Sequence, residues 1–410
     1  MKYRYWILFL MVLLGVITFL DRVAIATAGP RMMEDLNISP SDWGLVLSSF
    51  VLSYSLFQIP LGALGDKWGQ RWVLAGIVIW WSFFTGLTGL VAGLGVLLVV
   101  RFMFGVGEAG AYPCMSASIA KWFPSSERGI AQGFIWGASR AGGALAPVMM
   151  IPLMATAGWR AAFIILGMIG LVWGVLWILF YRDKKPQETA GAKVEVETQA
   201  KVKIPWNRFL RNPQFWLILG MYWFYVWGSW FYFSWLHVYL VKGRGLTEVE
   251  MGFAASAPFV LGMISNVLGG FASDYLSKKF GLKVGRRLIG GVCLGLSAIL
   301  LAFAGALPGK WMTVALLAIS FGVMDFMLPS AWALCLDVGK NYAGAISGAM
   351  NTAGNFGGFL CALLFGYVVE WFGGDYNMPL YFIAGMLAVS SFLFLKIDPT
   401  RELAPEAEAS

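Results

Sequence analysis

Long apolar stretches alternate with short polar ones along the chain, and that alternation sets the expected architecture. Runs of roughly 20 apolar residues recur from Trp6 to Ile397, each long enough to cross about 30 Å of hydrocarbon as a helix. The pattern predicts twelve spans, at 6–29, 44–63, 72–92, 95–117, 130–153, 161–180, 215–241, 252–271, 288–307, 311–334, 344–369 and 379–397. Nothing alternates like a barrel strand, and a helix satisfies its backbone within its own segment, so the fold class is all-α and integral to a membrane. One stretch breaks the rhythm. Residues 182–213 are polar, rich in Lys, Glu, Thr and Gln, and too charged to bury a core. They read as a cytoplasmic linker between a six-helix bundle over 1–181 and a second six-helix bundle with a tail over 214–410.

Composition agrees, since a soluble chain of 410 residues that is 59% hydrophobic and 13% charged could not cover its apolar side chains. An even number of spans puts both termini on one side. If that side is the cytoplasm, roughly 22 Lys and Arg fall inside against about five outside (Arg31, Arg160, Lys242, Arg244, Lys310). The expected setting is therefore the cytoplasmic (inner) membrane, with both termini inside, lipid around the chain and a monomeric state. The net charge of +8 then reads as a topology signal and not as a nucleic-acid footprint. Lys2 and Arg4, an apolar run, and then Ala24-Ile25-Ala26 and Ala26-Thr27-Ala28 also resemble a signal peptide with its cleavage site. Cleavage would leave the later topology unchanged but would discard Asp21 and Arg22.

Several chemistries are excluded. There is no Walker A run, no H-E-x-x-H and no Cys/His cluster, so ATP-driven pumping and zinc hydrolysis have no machinery, and an enzyme is not expected. Any concentrating power must come from an ion gradient, of protons foremost with sodium left open; no cofactor or metal is called for. Gly105-Val106-Gly107-Glu108-Ala109-Gly110 matches the dinucleotide fingerprint, but it lies inside an apolar helix, where such glycines let neighbouring backbones approach. Cys114, Cys293, Cys335 and Cys361 read as small packing residues. His237, beside Trp235 and Tyr239, reads as an interfacial residue at the outer end of span 7.

The halves carry a weak internal repeat. Gly62-Ala63-Leu64-Gly65-Asp66-Lys67-Trp68-Gly69-Gln70-Arg71 follows span 2, and Gly270-Phe271-Ala272-Ser273-Asp274 follows span 8. Duplication of this kind points to a substrate site at the interface of the halves near the midplane. The first copy fits G-x-x-x-D-[RK]-x-G-x-R, which resembles the signature loop of the major facilitator superfamily. That resemblance implies twelve transmembrane helices in two pseudo-symmetric six-helix bundles. Physically, Asp66 is expected to accept hydrogen bonds from the amino end of span 11 near Gly344 and to pair with Arg128, latching the inside closed. Arg71 and Asp274 join these two as gating candidates.

Six ionisable residues sit at mid-depth: Asp21, Arg22, Arg101, Glu108, Arg140 and Asp325. Each is a candidate for a pathway or a proton relay. Arg101 and Glu108 are seven apart, close to two turns, so they share one helix face. Asp21 and Arg22 differ by about 100° around their helix and must face different neighbours, with Asp21 expected to look toward span 4 and Arg22 into the central cavity. A buried carboxylate is sensitive to desolvation and to a nearby arginine, so shifting Arg101 between acids can load or release a proton. A static knot of salt bridges is the architectural alternative. Arg140 offers a second planar fork for a carboxylate, which admits a dianion if both arginines face the cavity; alternatively it neutralises Glu108 or Asp325. Asn351 and Asn355 in span 11, one turn apart among glycines, suit hydroxyl recognition or interhelical bonding. Tyr54 and Gln58 form a similar pair in span 2, Tyr112 lies one turn after Glu108, and Trp332 follows the kink expected at Pro329 in span 10. Trp223, Trp227 and Trp230 either cap a sugar acid or pack.

Phe19-Leu20-Asp21-Arg22, Arg101 through Glu108-Ala109-Gly110 with Tyr112-Pro113, Lys121-Trp122-Phe123-Pro124 with Glu127-Arg128-Gly129, and Asn351 to Gly358 together resemble the anion:cation symporter family. That family holds carriers of hexonates, hexuronates, aldarates and related organic acids, akin to vesicular glutamate and sialic-acid carriers. The likeness covers nearly the whole chain and is specific in the first half. It implies that the acids matching Asp21 and Glu108 take up protons, that the arginine matching Arg101 tunes them, and that the arginine matching Arg22 holds the substrate carboxylate. The expected function is proton-coupled uptake of a small organic anion by alternating access. A superfamily exporter or antiporter is the alternative, disfavoured because Ser139-Arg140-Ala141-Gly142-Gly143-Ala144-Leu145-Ala146-Pro147 departs from the G-P-x-x-G-G run common in antiporters. A membrane sensor of the same anion is another, and it would not need the relay.

Overall fold

A computed structural model describes residues 3–123, 125–183 and 205–403; the side chains at 66, 125–130, 341, 343 and 344 lie outside that description. The chain is helical throughout, with no strand among the described residues. The spanning helices are α1 (Tyr3–Asp35), α2 (Pro40–Trp68), α3 (Gln70–Thr88) and α4 (Leu94–Trp122). One run, Ser125–Phe180, holds α5 (125–157) and α6 (159–180), because Gly158 reverses it at φ 80°. The second half supplies α7 (Pro213–Ser234), α8 (Glu248–Phe280), α9 (Ile289–Ala306), α10 (Lys310–Gly339), α11 (Ala343–Trp371) and α12 (Met378–Lys396). Ten helical runs are long and apolar enough to cross a membrane. One of them, Ala131–Phe180, contains both α5 and α6, and α7 escapes that count because its many Trp and Tyr carry low hydropathy values, so the total is twelve. A short helix, Trp206–Arg211, lies within the segment expected to be linker.

Local chemistry explains the ends. Ser39 caps α2, its hydroxyl accepting from Asp42 N at 3.2 Å with Pro40 in the first turn. Thr247 and Glu250 form a reciprocal capping box on α8, and Asn212 caps α7 ahead of Pro213. Both repeated loops turn on a glycine in the left-handed region, Gly69 after α2 (φ 88°) and Gly281 after α8 (φ 85°).

The Tyr3 hydroxyl donates to the Phe180 carbonyl, joining the start of α1 to the end of α6. Gln214 Nε2 donates to the Asp398 carbonyl (2.8 Å), joining the start of α7 to the chain beyond α12. These contacts define one end of the molecule as the terminal end. At the far end the halves are pressed together. Gly44 of α2 lies against the Leu363 carbonyl of α11, Gly366 of α11 against Pro40 and Ser41, and Gly252 of α8 against Ile151 of α5, which is how small residues let membrane helices close. Ser256 Oγ donates to the Ala144 carbonyl at 2.8 Å, Ser41 N to Glu370 Oε1 at 2.9 Å, and Arg31 pairs with Glu248. At mid-depth the seam is aromatic, with Phe19 edge-on to Phe233 (5.5 Å between centroids) and Phe50 near Trp230. Beyond it, Gly133 and Gly137 of α5 and Gly348 of α11 face open space. The halves therefore close at the far end and leave a cleft toward the terminal end.

The Arg31–Glu248 pair is about one-third exposed (32% and 29% for the two side chains), which limits its worth to about 1 kcal/mol. Glu248→Gln is expected to loosen the far seam a few-fold, seen as faster maleimide labelling of a Ser256→Cys reporter. An unchanged labelling rate would remove the pair from the seam's energetics.

Candidate functional site

α1 and α4 bring the first cluster together. Arg22 Nε and Nη2 both donate to Glu108 Oε1, at 3.0 and 2.5 Å, while the guanidinium lies over the rings of Phe19 (4.9 Å), Phe50 (5.3 Å) and Tyr54 (4.8 Å). Glu108 is fully buried and its Oε2 has no hydrogen-bond partner. This corrects the expected division of labour within α1: it is Arg22 that turns to α4. Asp21, also buried, accepts from Trp81 Nε1 of α3 at 3.2 Å, and its Oδ1 is unpartnered. Arg101 touches no carboxylate among the described side chains. Its guanidinium rests on Phe50 (5.0 Å) and Phe104 (4.6 Å), its Nε is unpartnered, and Glu108, Arg22 and Asp21 all lie within electrostatic reach. The glycines of the false dinucleotide motif make this packing possible: Gly105 lies against Ser53 and Phe50, and Gly107 against Trp80 and Trp81.

A second pair lies across the seam. Arg140 Nη2 of α5 sits 3.1 Å from Asp325 Oδ2 and 3.3 Å from Oδ1 of α10, and its guanidinium lies over Phe233 (5.5 Å) and Phe321 (5.7 Å). The alternatives for Arg140 thus resolve to Asp325, not Glu108, with the arginine keeping 15% of its side chain exposed and the acid none.

The cleft wall follows from helix faces. Gly137 and Trp136 share the Arg140 face of α5, and Trp136 stacks on Tyr112 (4.7 Å, 10° between planes), whose hydroxyl meets Ser139 Oγ at 2.5 Å. Asn351 and Asn355 continue the side of α11 that meets α2 at Ala362 and Gly366, and Gln58 continues the matching side of α2 below Gly44. All three amides are partly exposed. Trp332 lies two turns from Asp325 and edge-on to Tyr222 (6.3 Å). Of the α7 tryptophans, Trp223 and Trp230 pack on Gly357 and Gly358 of α11, and Trp227 is buried, so the stripe is packing. His237 is fully buried with neither ring nitrogen partnered, which corrects its interfacial placement.

The expected latch of Asp66, Arg128 and Gly344 falls on side chains outside the described ones. Arg71 stays within its own half, donating to the Ile178 carbonyl at 2.7 and 3.0 Å. Asp274 pairs with Arg286 (2.9 Å), which also holds Asp337 (3.0 Å). The sequence reading missed Arg286, Trp81, Trp136 and Ser139. For Arg286 a signal existed: Gly285-Arg286-Arg287 echoes Gly69-Gln70-Arg71, displaced by eight residues relative to its aspartate.

The Major Facilitator Superfamily pattern matches residues 11–362. The chain is 33% identical to the probable sulfoacetate transporter SauU of Cupriavidus necator (97% of this chain, 94% of that one). It is 32% identical to the hexuronate transporter of Bacillus subtilis (94% and 92%) and 30% identical to the probable galactarate/D-glucarate transporter GudP of Escherichia coli (98% and 96%). Among solved structures, a bacterial homologue of the human lysosomal transporter Spinster superposes with TM-score 0.80 at 19% identity (96% of each chain). A D-xylose-proton symporter gives 0.75 at 17% identity (98% and 100%); both show the fold. With twelve helices in two halves and a match over most of its length, the chain is a multi-pass membrane protein, a transporter and not an enzyme, and belongs to the major facilitator superfamily.

Proposed function

We propose that the protein carries a small organic anion, of the sugar-acid or sulfonated-acid kind, across the cytoplasmic membrane together with protons, by alternating access with both termini in the cytoplasm. The observation that carries this reading is the Arg22–Glu108 pair: the mid-depth arginine of α1 is held at the closed end of the cleft by a buried acid. A substrate carboxylate takes the planar fork of Arg22 with two parallel hydrogen bonds. Glu108 thereby loses its cation, and a carboxylate left alone in a dry site takes up a proton. Arg101, on the same face of α4 and bound to neither acid, is the partner to which Glu108 or Asp21 turns as protons leave. Gln58, Asn351 and Asn355 offer donors and acceptors to hydroxyls, with Tyr54, Tyr112 and Trp332 as walls. Asp66 with Arg128 latches the terminal end once the far seam opens, while Arg71 and Asp274 brace the loops that carry the latch. The orientation rests on the Lys and Arg bias of the loops, and the substrate class on the named relatives.

Counterflow in proteoliposomes tests the reading, with labelled galactarate, galactonate, glucuronate and sulfoacetate, and with pH and sodium varied independently. Exchange of at least one anion is expected, with accumulation following the pH gradient and indifferent to sodium. Binding without flux would instead favour a sensor.

A further inference from the structure

We infer that Arg140 and Asp325 form a second anion-and-proton station, so that the preferred substrate is a two-headed dianion and its uptake takes two protons. The inference rests on the carrier reading above and adds to it a site, a substrate class and a stoichiometry. The two stations are built alike. Each sets one guanidinium on a cage of aromatic rings and closes it on one fully buried carboxylate. Glu108 and Asp325 stand on α4 and α10, which are the fourth helices of the two repeated halves. Phe19 beneath Arg22 and Phe233 beneath Arg140 are in direct ring contact at 5.5 Å, so the two forks stand on one continuous aromatic wall, along which a molecule with an anionic group at each end would lie.

The second station differs in one respect that matters for transport. Arg22–Glu108 lies within the first half, whereas Arg140–Asp325 ties the halves to each other at mid-depth. Rocking the halves apart there requires that tie to be released, and Asp325 to be neutralised, because an unpaired buried carboxylate is strongly unfavourable. A second substrate carboxylate or sulfonate on Arg140 releases the tie, and one proton on Asp325 neutralises it. Charge then balances: two negative charges enter with two protons, one shared by Glu108 and Asp21 through Arg101 and one on Asp325. The charged and titratable groups facing Asp325 are Arg140 from α5 and Tyr222 and Tyr225 from α7. From α8 it meets Gly262. α9 bonds to α10 at Ser297–Ser320 and at Thr313–Ala304, and α11 at Met350–Cys335, each a turn or more from Asp325.

Galactarate and galactonate share a six-carbon chain and differ by one carboxylate, which makes them the probes. With purified protein in lightly buffered detergent, a pH dye is expected to report two protons taken up per galactarate bound and one per galactonate, with galactarate binding about tenfold tighter or more, as one extra charge-assisted contact gives. Arg140→Gln should erase that preference while still binding galactonate, and Asp325→Asn should lower the galactarate proton count to one. One proton for both anions in the unaltered protein, or equal losses for both in Arg140→Gln, would overturn the second station and leave the Arg22–Glu108 reading standing. Binding of neither anion, nor of sulfoacetate, would overturn both. Because the proton count is read on the unaltered protein, a variant that fails to fold leaves the test intact.

Discussion

Glu108→Gln is expected to abolish accumulation of a monocarboxylate such as galactonate under an imposed pH gradient while leaving its exchange intact. The amide keeps the volume and one acceptor of the carboxylate, so Arg22 retains its aromatic cage and a neighbour at Oε1, and the packing of α4 against α1 is preserved. What is lost is the ability to gain and release a proton. One pH unit is worth about 1.4 kcal/mol per coupled proton, or tenfold in concentration. The unaltered carrier should therefore concentrate galactonate about tenfold per unit, and the variant should stop at equal concentrations on the two sides. Counterflow needs only binding and reorientation, and it should proceed at a rate comparable to the parent's because the freed fork of Arg22 accepts a carboxylate without displacing an ion. Accumulation by the variant equal to the parent's would sink the relay. With galactarate, the variant should keep the part of the accumulation that the Asp325 proton supplies, which separates the two stations by substrate.

The fold was legible because its signals are local. Apolar runs of the right length act through the bilayer and require no knowledge of which helix meets which. α7 was legible on the same ground, although its aromatics depress its hydropathy. The site was legible only down to the level of which residues are charged at mid-depth. That Asp21 and Arg22 face different neighbours follows from helix geometry; which faces which is settled by tertiary partners. The indole of Trp81 reaches Asp21 from α3, and the rings of Phe19, Phe50 and Tyr54 enclose Arg22 beside Glu108. Arg140 was ambiguous for a related reason: its partner lies on the other half, 185 residues away, and no spacing encodes that distance. His237 was misplaced because Trp235 and Tyr239 suggested a headgroup position, whereas Trp235 donates inward to the Ala362 carbonyl and Tyr239 meets Arg244.

Arg22→Ala is expected to cost the protein both stability and transport, and the two losses can be pulled apart. Glu108 is fully buried, and among the described residues Arg22 is the one cation in direct contact with it. Removing one partner of such a pair leaves a buried charge and costs about 3–5 kcal/mol, which should show as a marked fall in the melting temperature of the purified carrier. The double variant Arg22→Ala with Glu108→Gln removes the orphaned charge as well, and most of that stability should return because a neutral amide needs no counter-ion. Transport should not return, since the fork that binds the substrate carboxylate is gone. Arg22→Lys separates charge from geometry. An ammonium neutralises Glu108 and so preserves the fold, but it is a point charge without the planar pair of donors, and anion affinity should drop about tenfold or more at nearly unchanged stability. If the double variant regained counterflow along with its melting temperature, Arg22 would be a counter-ion for Glu108 and nothing more, and the substrate carboxylate would have to be held elsewhere in the cleft.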